Sequence, residues 1–131
     1  MAAAIRLVTL LDVEDDAADA RQMSVSVRHE AVLADGRRLL LGDRGWTSRA
    51  VGSADIWSET SMEEIENTAR AVVGPDEPFD GRSQEDMQAD HWAYLEDVLR
   101  QQGVIVNAAV LQQLPHDVVL GQRLLGRLRR H

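Results

Sequence analysis

The first third of the chain alternates apolar and polar positions with a period of two, which is typical of β-strands that bury one face. In residues 5–13 this spacing aligns one set of five side chains: Ile5, Leu7, Thr9, Leu11 and Val13. Residues 23–43 repeat the alternation around Asp35-Gly36, a dipeptide that favours a tight type I′ turn because glycine accepts a positive φ. The pattern therefore predicts a first strand followed by a β-hairpin.

The inner face of the predicted hairpin contains one histidine. Its first strand aligns five side chains on that face: Val25, Val27, His29, Ala31 and Leu33. Because successive side chains of a strand point to opposite faces, Glu30 is expected on the outer face, where it cannot partner His29. His29 is therefore a candidate site residue, although a core histidine with satisfied hydrogen bonds would fit the same position.

From residue 60 onwards the apolar residues recur every three or four positions, a spacing that indicates helices. Thr60 with Glu63 and Ser61 with Glu64 both have the spacing of a capping box, and Ser83 precedes an acidic first turn. The predicted helices cover residues 61–73, 84–102, 108–114 and 115–130. Pro115 suits the first turn of the last helix, where its missing N–H costs no hydrogen bond. Residues 42–60, rich in glycine and serine, are expected to form a loop or a pair of short strands that connects the strands to the helices.

The order of these elements predicts the fold class. Strands that precede helices are typical of α+β proteins rather than of alternating βαβ units. We therefore expect one domain over residues 1–131, since the length suits a single hydrophobic core. Its N-terminal half would form a small antiparallel sheet of three or four strands, covered on one face by three or four helices from the C-terminal half.

Charge is distributed unevenly along the chain, whose formal net charge is −8. Residues 61–98 carry eleven acidic residues and two arginines, whereas residues 99–131 carry five arginines and one acidic residue. An acidic protein is a poor match for nucleic acid, because phosphate affinity comes from arrayed basic residues. The charge instead suits a basic protein partner. The acidic and basic segments could also partly neutralise each other, either within one fold or between the copies of a homo-oligomer.

The last predicted helix carries a basic stripe of three residues: Arg123, Arg127 and Arg130. Such a stripe could contact an acidic partner, RNA or a membrane surface. It could equally be a solvated face, or it could pair with the acidic helix of the same fold.

Composition excludes several classes of site and membrane protein. The chain contains no cysteine, which removes disulfides, thiolate zinc sites and cysteine nucleophiles. No apolar run reaches the roughly 20 residues of a membrane span, and the N-terminus, with Arg6 inside its apolar run, does not resemble a signal peptide. All fourteen basic residues are arginine, a bias expected of a GC-rich bacterial genome. These features predict a cytoplasmic bacterial protein.

The motifs of common catalytic and cofactor sites are missing from the sequence. It contains no HExxH, no P-loop, no GxGxxG and no GxSxG or SxxK. Asp12, Glu14 and Asp16 have the first spacings of a calcium loop, but Ala17 and Met23 replace the glycine and the acid that the loop requires. The sequence therefore predicts neither a metal nor a cofactor.

His91 lies on the apolar stripe of the helix predicted over residues 84–102. Met87 and Leu95 lie one turn before and one turn after it, so its imidazole is expected to face the core. If the helix packs on the inner face of the sheet, His91 would approach His29. A core histidine bonded to a backbone carbonyl would satisfy the same pattern.

These observations leave two functional hypotheses. The leading one is a protein-binding accessory, regulatory or toxin-neutralising factor that contacts its partner through Trp46, Trp57 and Phe79.

The alternative is an enzyme or a small-ligand-binding protein whose inward pocket is built around His29 and His91. Asp90 or Tyr94 would orient the imidazole of His91 in that pocket. The two hypotheses differ in geometry, because the second requires both histidines to line one open cavity.

Overall fold

The computed structural model describes residues 3–13, 22–49 and 56–129 of the 131-residue chain. The strands in these ranges are β1 (Ala4–Val13), β2 (Gln22–Leu33), β3 (Arg38–Arg49) and β4 (His116–Leu120). The helices are α1 (Ile56–Glu59), α2 (Met62–Val73), α3 (Gln84–Gln101), α4 (Ala108–Gln113) and α5 (Gln122–Arg129).

The four strands form one sheet in the order β3-β2-β1-β4. The β1/β2 and β2/β3 pairs are antiparallel, as predicted, whereas β4 pairs with β1 in parallel. The α+β class is confirmed, but the sheet is mixed rather than antiparallel as predicted, because β4, which comes from the C-terminal part of the chain, runs parallel to β1. The acidic, alanine-rich run at residues 12–19 was expected to be an exposed loop, but Asp12 and Val13 end β1, and residues 14–19 lie outside the described residues. Within the predicted connection of residues 42–60, residues 42–49 belong to β3 and residues 56–59 form α1, whereas residues 50–55 lie outside the described residues.

The prediction of one helix over residues 115–130 was wrong. Residues 116–120 form strand β4, and helix α5 begins only at Gln122. The free edge of β1 offers backbone groups that need partners, and the adjacent valines Val118 and Val119 are β-branched residues that suit a sheet. The Leu7 N–H donates to the carbonyl of Pro115 at 2.8 Å, so the proline begins the parallel pairing rather than a helix.

The β2/β3 hairpin is confirmed, but its turn differs from the predicted one. The Gly36 N–H donates to the Leu33 carbonyl at 2.9 Å, and the Leu33 N–H donates to the Arg37 carbonyl at 2.9 Å. Gly36 has a φ of 90°, but the φ of Asp35 is not positive, because Asp80 is the one non-glycine residue in the described ranges with a positive φ. A type I′ turn needs a positive φ at both central residues, so the connection is a three-residue loop that ends on Gly36.

The helices pack on the inner face of the sheet in two hydrophobic clusters. The first cluster joins the sheet to α3 and α4, through residues that include Leu7, Ala31, Leu33, Leu95, Leu99 and Leu111. The second joins the sheet to α1, α2 and α5, through residues that include Leu11, Val25, Val27, Trp57, Ile65, Ala69 and Leu124. On β1, Thr9 lies between Leu7 and Leu11, so a polar position separates the two clusters at the centre of the sheet.

The start of β1 departs from the predicted alternation. The pairing with β2 shifts register between Ala4 and Arg6, so that Ala4 is buried and Ile5 is 49% exposed. The remaining predicted inner residues of this strand are buried, which confirms the face assignment beyond the bulge.

Helix α3 begins after Ser83, as predicted, and α2 begins after Ser61, one of its two predicted capping residues. The Ser61 hydroxyl accepts a hydrogen bond from the Glu64 N–H, and Ser83 forms a complete capping box with Asp86. Gly103, just beyond α3, has a φ of 88°, which suits a helix end. None of the described helices is both long and apolar enough to span a membrane.

The junction of β4 and α5 depends on a glycine beside the end of β1. The Gly121 N–H donates to the Leu11 carbonyl at 2.6 Å, and the Asp12 carboxylate accepts a hydrogen bond from the Leu124 N–H at 3.1 Å. The carboxylate thus caps the first turn of α5, where it also suits the helix dipole. A Cβ at Gly121 would overlap this carboxylate and lie 2.9 Å from the Leu11 carbonyl oxygen.

We expect Gly121→Ala to lower the free energy of unfolding by about 1–3 kcal/mol, because the added methyl group must displace Asp12 or the backbone. Urea denaturation measures this change. Gly126→Ala is the matched control, since a Cβ at Gly126 meets no atom within 4 Å. That control should gain about 0.5–1 kcal/mol from helix propensity. Equal effects of the two substitutions would contradict the proposed crowding at Gly121.

Candidate functional site

A polar cluster of three side chains interrupts the apolar inner face of the sheet. Thr9 and His29 are opposite each other in the β1/β2 register and are 0% and 4% exposed. The Thr9 Oγ1 atom lies 3.1 Å from Nδ1 of His29 and 2.6 Å from Nε2 of His116. The two imidazole rings meet edge to face, with their centroids 5.4 Å apart. Strand β4 brings His116 into this cluster, because it places this residue next to Leu7 on β1.

The imidazoles of this cluster favour the neutral form. Burial lowers the pKa of His29 to about 4, helped by the neighbouring His116, His91 and Arg44 and opposed by a hydrogen bond to the Val8 backbone. We expect His29 to be neutral at pH 7, so that it offers one hydrogen-bond donor and one acceptor.

His116 is only partly buried, and its environment is mixed. Burial and the nearby Arg70 guanidinium lower its pKa, whereas Asp117 opposes the shift. His116 was not expected at this position, because the helix predicted over residues 115–130 would have kept it away from the sheet.

A cavity of about 170 Å³ opens beside His29, between β3, α3 and the end of α2. Its walls are formed by His29, Leu41, Gly42, Asp43, Arg44, Val73, His91, Tyr94 and Leu95. Gly42 is paired with His29 across the β2/β3 register, and a Cβ built on it meets no atom within 4 Å. The missing side chain at this position therefore leaves open the space next to the imidazole.

His91 lies in the wall of the same cavity. It is half-buried, and its ring packs edge-on against Trp92 with the centroids 4.9 Å apart. Burial is the main cause that lowers its pKa, followed by the charge of Arg44 and opposed by Asp76. No hydrogen bond joins the His91 ring to another residue in the described ranges. The structure therefore brings both predicted histidines to one cavity, with the ring nitrogens of His91 left for a ligand or for water.

A second cavity of about 320 Å³ shares three wall residues with the first: Arg44, His91 and Tyr94. It extends the opening towards the loop between α2 and α3, where Asp76 and Phe79 lie. Tyr94 is 57% exposed and stands at the boundary between the two cavities. A ligand that enters the first cavity would therefore pass or contact this tyrosine.

Arg44 is the cation of this region. Its side chain lies on the inner side of β3, opposite Val27, and one guanidinium nitrogen donates to the Val72 carbonyl at 3.2 Å. None of the described carboxylates lies within ion-pairing distance of it. The guanidinium has five N–H donors, so most of its hydrogen-bonding capacity remains for solvent or a ligand.

Asp90 does not occupy the orienting position that the sequence analysis considered. Its carboxylate is exposed and forms an ion pair with Arg82. Neither Asp90 nor Tyr94 is hydrogen-bonded to His91 in the described part of the chain. Both residues nevertheless line the second cavity, beside His91.

The three aromatic residues predicted to contact a partner lie in different surroundings. Trp57 is 3% exposed and belongs to the second hydrophobic cluster, where the Arg127 guanidinium stacks 4.4 Å from its ring centroid. Trp46 is partly buried against the same cluster. Phe79 is 56% exposed. Of the three, Phe79 therefore offers the open aromatic surface, and Trp57 is a core residue.

The predicted basic stripe is divided in the structure. Arg127 stacks on Trp57, whereas Arg123 is exposed, and Arg130 lies outside the described residues.

Within the described ranges, no group of three or more histidine and acidic side chains could hold a metal ion. Three acidic residues have the first spacings of a calcium loop. Of these, Asp12 caps α5, whereas Glu14 and Asp16 lie outside the described residues.

Sequence reasoning identified the two cavity histidines but missed Thr9, Gly42, Arg44 and His116 as site residues. Strand alternation already placed Thr9 on the inner face with His29. The role of Gly42 depends on the β2/β3 register, which shifts by one residue between His29 and Glu30. No local pattern in the sequence encodes that shift.

Comparisons of the chain with protein-family models, with curated proteins and with solved structures found no match. The site is therefore interpreted from its own geometry and chemistry.

We expect the folded state to lose stability as the pH falls from about 6.5 to about 4. An unfolded histidine binds a proton near pH 6.5, whereas His29 in the fold resists protonation down to about pH 4. The unfolded state thus binds more protons in this window, and His29 alone would cost about 3 kcal/mol across it.

Urea denaturation of the wild type and of His29→Phe, measured at several pH values, tests this expectation. The difference between the two proteins isolates His29 from the carboxylates, which also titrate in acid. Parallel curves over the whole window would show that His29 is not held neutral by the fold.

Proposed function

We propose that the protein binds a small ligand carrying an anionic group in the cavity formed by His29, His91 and Arg44. One observation carries this proposal: His91 faces a cavity that His29 also lines, and no described residue is hydrogen-bonded to its ring. Buried or half-buried polar groups normally have partners, so an open cavity with unused ring nitrogens is suited to a polar ligand.

Arg44 supports the anionic character of this ligand. A guanidinium binds carboxylate and phosphate groups with two parallel hydrogen bonds. Arg44 borders both cavities and has no acidic partner within ion-pairing distance in the described ranges. Burial and the charge of Arg44 lower the pKa values of His29 and His91, so the two imidazoles add donors and acceptors rather than charge.

The size and lining of the cavity support a small ligand. A volume of about 170 Å³ is below the common range for drug-sized ligands. Leu41, Val73 and Leu95 provide an apolar wall opposite the polar groups. The combination suits a short-chain carboxylate or a small phosphorylated compound, with the anion on Arg44 and the remainder between the imidazoles and the apolar wall.

Arg44→Gln is expected to weaken binding by about 10–100-fold, because hydrogen bonds to charged groups contribute roughly 1.5–3 kcal/mol. Ligand-observed NMR with short-chain mono- and dicarboxylates and inorganic phosphate would identify a ligand and measure its affinity. Arg123→Gln is the matched control, since Arg123 is exposed on α5 and does not line the cavity. Binding that Arg44→Gln leaves unchanged would contradict the role of the guanidinium.

Gly42→Val should abolish binding without unfolding the protein. The valine side chain would occupy the space beside His29, and its Cβ has no close contact to relieve. Gly126→Ala again serves as a substitution that adds a side chain away from the cavity. Retained affinity in a folded Gly42→Val protein would place the ligand elsewhere.

A protein partner is the second candidate function, favoured by the exposed pair Phe79 and Tyr94. Both residues are more than half exposed, and both border the second cavity together with Asp76 and Asp90. Exposed aromatic residues often anchor protein interfaces, and an acidic surround suits a basic partner.

We expect the double variant Phe79→Ser/Tyr94→Ser to lose capture of a stoichiometric basic protein from native lysate. Ile105→Ser should retain that capture, because Ile105 is 68% exposed but does not line either cavity. Affinity capture at low and moderate salt with mass spectrometry makes the comparison. The absence of any stoichiometric protein with the wild type would remove this candidate.

A further inference from the structure

The Thr9 hydroxyl lies between two imidazoles and within hydrogen-bonding distance of both. Its oxygen is 3.1 Å from Nδ1 of His29 and 2.6 Å from Nε2 of His116. Thr9 is fully buried and His29 is almost fully buried. Buried polar groups need partners, and the two rings are the partners of the Thr9 hydroxyl in the described part of the chain, whereas His29 also has a hydrogen bond to the Val8 backbone.

A hydroxyl has one proton, so Thr9 can donate to only one of the two rings. Thr9 could accept from both rings, but its own buried proton would then have no acceptor among the described residues, because the two rings are its hydrogen-bond partners there. One ring therefore accepts from Thr9, and the other ring must donate an N–H to the Thr9 oxygen. When Nδ1 of His29 donates, Thr9 donates to Nε2 of His116, and a neutral His116 carries its proton on Nδ1. When Nε2 of His116 donates, Thr9 donates to Nδ1 of His29, and a neutral His29 carries its proton on Nε2. In both arrangements the two neutral rings have the same tautomer.

We propose that Thr9 couples the tautomers of His29 and His116, and that Thr9 and His116 are positioning residues for the ligand cavity. His116 has no place in the cavity wall, whereas His29 does. Through Thr9, the protonation of His116 sets which nitrogen of His29 carries the proton. The consequence for ligand binding rests on the proposed function, but the coupling itself is a property of the ligand-free protein.

Protonation of His116 selects one of the two arrangements. An imidazolium carries a proton on both nitrogens, so its Nε2 must donate to Thr9, and Thr9 must donate to Nδ1 of His29. His29 then carries its proton on Nε2. The charged and titratable groups that face His116 are Arg70 on α2, His29 on β2, and Asp117 beside it on β4, which is paired with Arg6 on β1.

Long-range ¹H–¹⁵N correlation spectra of the ligand-free protein, labelled with ¹⁵N-histidine, test the coupling directly. At neutral pH we expect His29 and His116 to show the same tautomer. As the pH falls and His116 becomes an imidazolium, His29 should have its proton on Nε2, and its Nδ1 resonance should follow the titration of His116. Different tautomers at neutral pH, or an Nδ1 proton on His29 beside a charged His116, would overturn the proposal.

Two variants of Thr9 separate coupling from packing. Thr9→Val keeps the shape but removes the hydroxyl, and the Nδ1 resonance of His29 should then no longer follow the titration of His116. Thr9→Ser retains the hydroxyl and should retain that dependence. A dependence that survives in a folded Thr9→Val protein would contradict the coupling. If this variant does not fold, the wild-type tautomers still decide the question.

The result of the tautomer measurement does not depend on whether the cavity binds a ligand. Failure to find a carboxylate or phosphate ligand would leave the tautomer measurement unchanged. Conversely, the protein could bind an anionic ligand through Arg44 while His29 and His116 show different tautomers. That result would overturn the coupling through Thr9 and leave the proposed ligand site intact.

Discussion

The hydrogen-bonded pair of Thr9 and His29 is the constraint around which the core is arranged. A hydroxyl and an imidazole in the middle of an otherwise apolar sheet face would cost several kcal/mol if left without partners. The β1/β2 register places them opposite each other, and β4 brings His116 as the third member. The apolar residues consequently form two clusters, one under α3 and α4 and the other under α1, α2 and α5.

The cavity is a consequence of the same arrangement. The α3 and α2 helices pack on different clusters, so a gap remains between them above His29. Gly42 adds no side chain to fill this gap, and Arg44 reaches across it to the end of α2. His29 thus borders the open cavity, whereas its hydrogen-bond partner Thr9 remains fully buried. This combination of a buried hydrogen-bond cluster and an open edge supports a binding role more directly than the surface aromatic residues do.

The local patterns predicted the architecture well where each element depends on nearby residues. The hairpin, the capped starts of α2 and α3, and the inward direction of His29 and His91 all follow from periodicity and capping chemistry. Residues 116–120 were assigned wrongly because their apolar spacing fits a helix, whereas pairing with the free edge of β1 makes them a strand. Trp57 was expected near a partner surface, but the packing of α1 buries it.

The sequence by itself therefore determined the fold class, the buried face of most of the first two strands and the two inward histidines, because side-chain period and helix caps act over a few residues. Tertiary structure decided which groups meet. His116 reaches Thr9 across 107 positions of sequence. Arg44 and Gly42 join the site only through a shifted strand register. Such contacts result from the pairing of distant strands, whose backbone groups must find partners wherever the whole fold provides them.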